Sequence, residues 1–224
     1  MFLEDRTYPV KVEVRRNRAE SLWSYSLLDK RQREIAEKVK QGDKGVLLLS
    51  EVAPVITLGR RTPRTDIFAT EEALRARGVE VLRVDRGGLA TYHGPGQWVV
   101  FVVDSLENLT GDSRGVRLAV EGLLNIALKV AGQYQAKAEI RDGKTTGVWG
   151  PSGKIASVGV HIEKRVLLHG LAINGFRTKE SFFGIRPCGT DASPEFLLSD
   201  ASQSSDFEEL GLMIVEQVFK QFWK

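Results

Sequence analysis

Leu22, Tyr25, Leu28, Ile35 and Val39 recur at spacings of three, four and seven. That spacing predicts a helix over 18–40 with one buried face. Polar Gln32 is a gap in the stripe, and Gly42 is a stop signal. Gly45-Val46-Leu47-Leu48-Leu49 predicts a short buried strand. Thr70-Glu71-Glu72-Ala73-Leu74 opens a second helix ending at Gly78, and Val79 to Val84 reads as a strand. The apolar run Val99-Val100-Phe101-Val102-Val103 suits a central strand. Val116, Val120, Leu123, Ala127 and Val130 mark a helix ending near Gly132. The turn Gly150-Pro151-Ser152-Gly153 separates two strand candidates, and a further strand covers 166–174. Phe207, Leu210, Ile214, Val218 and Phe222 form the stripe of a C-terminal helix, with Ser205 and Glu208 as a capping box. Helices and strands mix without strict alternation around a central hairpin, which predicts an α/β or mixed α+β fold: a mixed sheet with packed helices.

The composition narrows the class. The chain has 224 residues, a net charge of +3, 42% hydrophobic and 27% charged residues. These values exclude collagen-like and disordered chains. No repeat, low-complexity segment or linker interrupts it, so a single domain over 1–224 is expected. The single cysteine, Cys188, excludes an internal disulfide framework and a multi-thiolate zinc site. The first residues, Met1-Phe2-Leu3-Glu4-Asp5-Arg6, resemble neither a secretory signal nor a transit peptide. No run is long and apolar enough for a membrane helix, so a cytoplasmic protein is expected. No Lys/Arg tract alternates with aromatics, so neither nucleic acid nor membrane is an expected partner.

Three stretches break the patterns of ordinary folding. Arg86-Gly87-Gly88-Leu89-Ala90-Thr91-Tyr92-His93-Gly94-Pro95-Gly96-Gln97 packs four glycines, a proline and a histidine between two strands. It reads either as a long hairpin loop or as a loop whose backbone approaches a ligand. In the run 154–162, strand alternation places Lys154 with Ala156, Val158, Val160 and Ile162, opposite Ile155, Ser157, Gly159 and His161. A lysine opening that apolar face either snorkels to solvent or stays neutral and able to accept a proton. Cys188 sits between Pro187 and Gly189. A lone cysteine is commonly a small buried hydrophobe, but this setting also suits an exposed nucleophile whose thiolate Arg186 could favour. His93, His161 and His169 match no local metal motif. Arg60, Arg61 and Arg64 form a small basic cluster, either a solvated loop or a dock for an acidic partner.

Taken together, the motifs resemble the octanoyltransferase family of lipoate biosynthesis, the octanoyl-[acyl carrier protein]:protein N-octanoyltransferases. The resemblance rests on Val55-Ile56-Thr57-Leu58-Gly59-Arg60, the 86–97 stretch, Gly147-Val148-Trp149 and Lys154-Ile155-Ala156-Ser157-Val158-Gly159-Val160. His169-Gly170-Leu171-Ala172-Ile173-Asn174 and Pro187-Cys188-Gly189 complete it. It implies a fold shared with lipoate and biotin protein ligases and no cofactor or metal. It implies Cys188 as the carrier of an acyl thioester, with Lys154 as its proton-handling partner. It also implies an acyl site walled by Arg86, Gly87, Gly88, Leu89, Ala90, Thr91, Tyr92 and His93, by Ser157, Val158 and Gly159, and by Gly170, Leu171 and Ala172. The implied donor is octanoyl-acyl carrier protein. The implied acceptors are lipoyl domains of 2-oxoacid dehydrogenase complexes and the glycine cleavage H protein. A monomer is expected. One departure stands out: after Pro-Cys-Gly the family has a Thr-Ser-Leu element, and here Thr190-Asp191-Ala192-Ser193-Pro194-Glu195-Phe196 follows. The rivals are an ATP-dependent lipoate or biotin ligase, a cysteine hydrolase pairing Cys188 with His93 or His169, and a non-catalytic acyl-binding protein.

Overall fold

The computed structural model describes residues 8–16, 23–134, 137–186, 193–199 and 204–223. Its strands are β1 (Lys11–Arg15), β2 (Val46–Ser50), β3 (Val55–Leu58), β4 (Glu80–Arg83), β5 (Ala90–His93), β6 (Gln97–Val103), β7 (Glu139–Arg141), β8 (Gly147–Trp149), β9 (Lys154–Glu163) and β10 (Val166–Asn174). Its α-helices are α1 (Tyr25–Lys40), α2 (Glu71–Ala76), α3 (Leu106–Thr110), α4 (Val116–Gln133) and α5 (Ser204–Phe222).

Seven strands form one mixed sheet in the order β1-β2-β6-β10-β9-β8-β7. β1 runs parallel to β2, joined through α1, and the other pairings are antiparallel. β3, α2 and β4 form a second parallel unit, which with β5 makes a three-stranded sheet in the order β4-β3-β5. The central strands β2, β6 and β10 are buried on both faces, and alternation divides their side chains between two cores. Val46, Leu48, Val99, Phe101, Val103 and Leu168 pack against Tyr25, Leu28, Ile35 and Val39 of α1. Leu47, Leu49, Val100, Val102, Leu171 and Ile173 pack against α4 and α5. A smaller core under the second sheet holds Ile56, Leu74, Val79, Tyr92 and Ile185.

The predicted mixed α/β architecture is the one observed, with local corrections. α1 starts at Tyr25 because Ser24 caps it, its Oγ accepting from the Leu27 N–H at 3.2 Å. Leu22 of the predicted stripe lies outside the described residues. Gln32 is no solvent-facing gap, since it is wholly buried. The 86–97 stretch is more than a loop: its middle is β5, paired antiparallel with β3. α5 begins at Ser204, so Ser205 lies inside the first turn rather than at a capping position. Glu208 instead pairs with Arg16.

Candidate active site

A cavity of about 660 Å³ opens between α1, the 86–93 segment and the sheet strands β9 and β10. Its floor exists because the sheet carries small residues there. Gly159 pairs directly with Gly170, and Ser157 with Ala172. A Cβ on Gly159 would come within 3.0 Å of the Gly87 carbonyl, so side chains there would push the 86–88 segment off the sheet. The Gly87 N–H donates to Val160 O at 2.9 Å. Arg86 is buried, and its guanidinium donates to Thr57 O and Thr57 Oγ1 at 2.8 Å each and to Gly87 O at 2.9 Å.

Of the expected walls, Arg86, Gly87, Gly88, Leu89, Thr91 and His93 line the cavity, as do Ser157, Val158, Gly159, Gly170, Leu171 and Ala172. Ala90 and Tyr92 do not. They alternate with Thr91 and His93 along β5 and point the other way, and Tyr92 joins the small core, against Phe182. Exposed Arg61 reaches the cavity rim, which also includes Pro63 and the turn Gly143, Thr145 and Thr146.

Lys154 lines the cavity too, but not from the face that simple alternation assigned. A register shift between Val148 and Trp149 leaves Lys154 opposite Trp149, while Ala156 pairs with Val148 and Ser157 with Gly147. Paired residues share a face, so this bulge moves Lys154 to the side of Ser157 and Gly147, away from Ala156. The buried lysine crosses Gly147, where a Cβ would stand 2.4 Å from its Cε, and its Nζ lies 5.3 Å from the Trp149 ring centroid.

Main-chain bonds hold Lys154 in place. Its N–H donates to Ser193 O at 3.2 Å, and its carbonyl accepts from the Glu195 N–H and from Asn174 Nδ2, both at 3.0 Å. Asn174 Nδ2 also donates to Glu195 O at 3.1 Å, tying the strand start to the 193–195 segment. The Glu195 carboxylate accepts from the Ser152 and Gly153 N–H groups at 2.7 and 2.8 Å, fixing the β8–β9 turn. This is the structural work of the atypical segment after Gly189. Pro187, Cys188, Gly189, Thr190, Asp191 and Ala192 lie outside the described residues.

A second set of bonds runs from Asn174 into the cavity. Its Oδ1 accepts from Gln97 Nε2 at 2.9 Å, and Gln97 Nε2 also donates to Tyr92 O at 3.2 Å. Gln97 Oε1 must then accept from His93 Nδ1, 2.7 Å away, which leaves the neutral ring with its acceptor at Nε2. Burial is the main cause that lowers the His93 pKa to about 3, so this ring is neutral at any working pH.

His169 carries the opposite tautomer. Its backbone is left-handed, φ 61°, an uncommon conformation for a non-glycine residue. Its N–H donates to Gln32 Oε1 at 2.7 Å, which fixes the Gln32 amide with Nε2 facing His169 Nδ1 at 3.3 Å. The Tyr25 hydroxyl is also 3.2 Å from Nδ1. Nδ1 is therefore the acceptor, and Nε2–H donates to Asp85 Oδ1 at 2.8 Å. Burial lowers the His169 pKa. The hydrogen bond from His169 and the Arg33 guanidinium hold the Asp85 carboxyl well below the usual range. Asp29, Asp85 and His169 place donors within 4.8 Å of one another, but Arg33 already bridges both carboxylates at 2.9 and 3.0 Å. That guanidinium supplies the positive charge a cation would bring. Tyr25 joins the two histidines, stacking on His93 at 5.3 Å while its hydroxyl meets His169.

Sequence reasoning missed Tyr25, Gln32, Asp85, Gln97 and Glu195. Gln32 left a signal as a polar residue inside an apolar helical stripe, Gln97 as the end of the 86–97 stretch, and Glu195 as part of the segment that departs from the family pattern.

Residues 29–212 match the family model of the lipoyl protein ligase A/B catalytic domain. A T. acidophilum protein solved with bound lipoic acid shares the fold, with a TM-score of 0.67 and 12% identity over 95% of this chain and 85% of that one. A lipoate-protein ligase A bound with ATP superposes with a TM-score of 0.52 and 14% identity over 94% of each chain. The octanoyltransferase of Magnetococcus marinus is 35% identical over 202 residues, 90% of each chain. That of Maridesulfovibrio salexigens is 34% identical over 191 residues, 83% of this chain and 87% of its own. The chain belongs to the octanoyltransferase family of acyltransferases, within the lipoyl protein ligase A/B catalytic domain class.

Proposed function

We propose that the chain moves an octanoyl group from octanoyl-acyl carrier protein to a lysine of a lipoyl domain, through a thioester on Cys188. The observation that carries this reading is Lys154: a buried lysine on the cavity face, bonded through its main chain to the segment that follows the cysteine. Ser193, whose carbonyl holds the Lys154 N–H, lies five positions after Cys188. At full extension five residues reach about 18 Å. On the other side, the Arg186 N–H is fixed to Asp66 O at 2.8 Å.

In the first half-reaction the Cys188 thiolate attacks the thioester carbonyl. A C–S bond to Cys188 forms, the C–S bond to the carrier breaks, and the carrier thiolate leaves and takes up a proton. One thioester replaces another, so the step is near balanced and needs no ATP. In the second, the acceptor amine attacks the acyl-enzyme: a C–N bond forms, the C–S bond to Cys188 breaks, and the amine loses a proton. That proton passes to the departing Cys188 sulfur, with Lys154 on the cavity face as the proton-handling group. Backbone N–H groups of the glycine-rich segments are the candidate donors to the oxyanion. Burying about seven carbons at roughly 0.8 kcal/mol each yields about 5–6 kcal/mol, enough to favour a medium chain. The acceptors on this reading are lipoyl domains of 2-oxoacid dehydrogenase complexes and the glycine cleavage H protein.

The test is transfer from octanoyl-acyl carrier protein to an isolated lipoyl domain without ATP. Wild type should transfer, and Cys188→Ala should not. Transfer by Cys188→Ala at the wild-type rate, or a strict need for ATP and free octanoate, would refute the scheme.

A further inference from the structure

We propose that His169, Asp85 and Arg33, braced by Gln32, form an end wall of the cavity and limit the length of chain it accepts. This rests on the reading that the cavity holds an acyl chain. The three side chains run in series from the cavity outward. His169 lines the cavity with a side chain 1% exposed. Asp85, directly behind it, is 35% exposed, and Arg33, bonded to Asp85, is 39% exposed. This polar series, with Asp29 and His161 beside Asp85 and Arg33, stands between the ring and solvent.

The wall is also a fastening between separate parts of the fold. Asp85 immediately precedes Arg86 and Gly87 of one wall, and His169 immediately precedes Gly170 and Leu171 of another. Gln32 and Arg33 belong to α1. The left-handed backbone at His169 turns its ring to the α1 side of the sheet, where it meets Tyr25 and lies edge-on to Phe101 at 5.2 Å. The strain of that backbone persists because Gln32 takes the N–H and Asp85 takes the ring. Every polar atom of the imidazole is committed to the wall, so the ring has no reason to swing aside for a longer chain. Removing Asp85 or Arg33 opens a path to solvent through which surplus methylenes can pass. His169, Asp85, Arg33 and Gln32 act as positioning residues, outside the bond-making steps.

The experiment measures binding of octanoic, decanoic and dodecanoic acids to the full chain, by displacement of a fluorescent fatty acid. It needs no acyl transfer, so loss of the proposed reaction and loss of the end wall are separate results. Wild type should bind octanoate at least tenfold more tightly than dodecanoate. Asp85→Ala and Arg33→Ala should bring the two within about threefold, mainly by gain for the longer acid. Arg33→Ala alters only the half-exposed outer member and carries the test if Asp85→Ala fails to fold. A flat wild-type profile would overturn the proposal. So would folded variants that keep the wild-type ratio within twofold, or that weaken all three acids in parallel.

Discussion

Two of the polar residues that line the cavity, Lys154 and His169, are fixed at different points. Lys154 is placed by its main chain: a strand bulge sets its face, and Ser193, Glu195 and Asn174 fix its N–H and carbonyl. His169 is placed by its side chain, with each ring nitrogen engaged by Asp85, Gln32 or Tyr25. The main-chain bonds of Lys154 set the point from which its side chain crosses Gly147. A group whose ring atoms are all engaged serves as architecture. Substitutions at the first region should act on turnover, and substitutions at the second on fit.

The largest effect is expected at Lys154 itself. Lys154→Arg stays charged at any usable pH and cannot accept a proton. Turnover should fall by at least about 100-fold, the scale of a lost proton-transfer group. Thermal melting should change little, and near-normal turnover would remove the lysine from the chemistry. Next is Gly147→Ala. Gly147 has φ 154°, and a Cβ there would stand 2.4 Å from both Ala156 O and Lys154 Cε. We expect about 1–3 kcal/mol of lost stability in urea unfolding. Displacement of the lysine should also lower kcat by about tenfold, with octanoate binding kept. A parallel loss of octanoate binding would blur the distinction between the two regions.

Asn174→Ala removes the amide shared by the Lys154 and Glu195 carbonyls, at a cost of about 1–3 kcal/mol for the buried polar atoms left unsatisfied. Its chain-length profile should match wild type. A changed profile would show that the two networks are coupled through Gln97 and His93.

The last effect concerns pH and leaves activity near neutral pH untouched. His93 titrates at about 3 when folded, below its ordinary 6.5, because burial disfavours the charged ring. The unfolded chain therefore binds the extra proton between those values, and stability falls as pH drops from about 6.5 toward 3. The slope contributed is up to about 1.4 kcal/mol per pH unit. His169, also lowered by burial, adds in the same direction. His93→Gln should flatten the pH dependence of the urea midpoint by up to one proton. An unchanged slope would mean that His93 is not buried and neutral.

Much of this was legible in the sequence where one interaction dominates. The apolar stripes of α1, α4 and α5 and the run in β6 gave those elements, because burial alone decides them. The small residues Ser157, Gly159, Gly170 and Ala172 stood in motifs whose resemblance implied an acyl site. The bulge at Lys154 was not legible, since alternation assumes an unbroken ladder and the register shift depends on the partner strand. Nor was the role of Asp85, which meets Arg33 and His169 only after two sheets and a helix come together. Glu195 lay in the segment that departs from the family pattern, and only the folded turn at Ser152 and Gly153 explains a carboxylate there.

The central claim is a transient acyl thioester on one sulfur. Intact-mass measurement after brief mixing with octanoyl-acyl carrier protein, without acceptor, tests it most directly. The expected product is an added octanoyl group that maps to the peptide bearing Cys188, is removed by hydroxylamine and is absent from Cys188→Ala. Octanoyl transfer to a lipoyl domain by a chain that never carries such an adduct would contradict it.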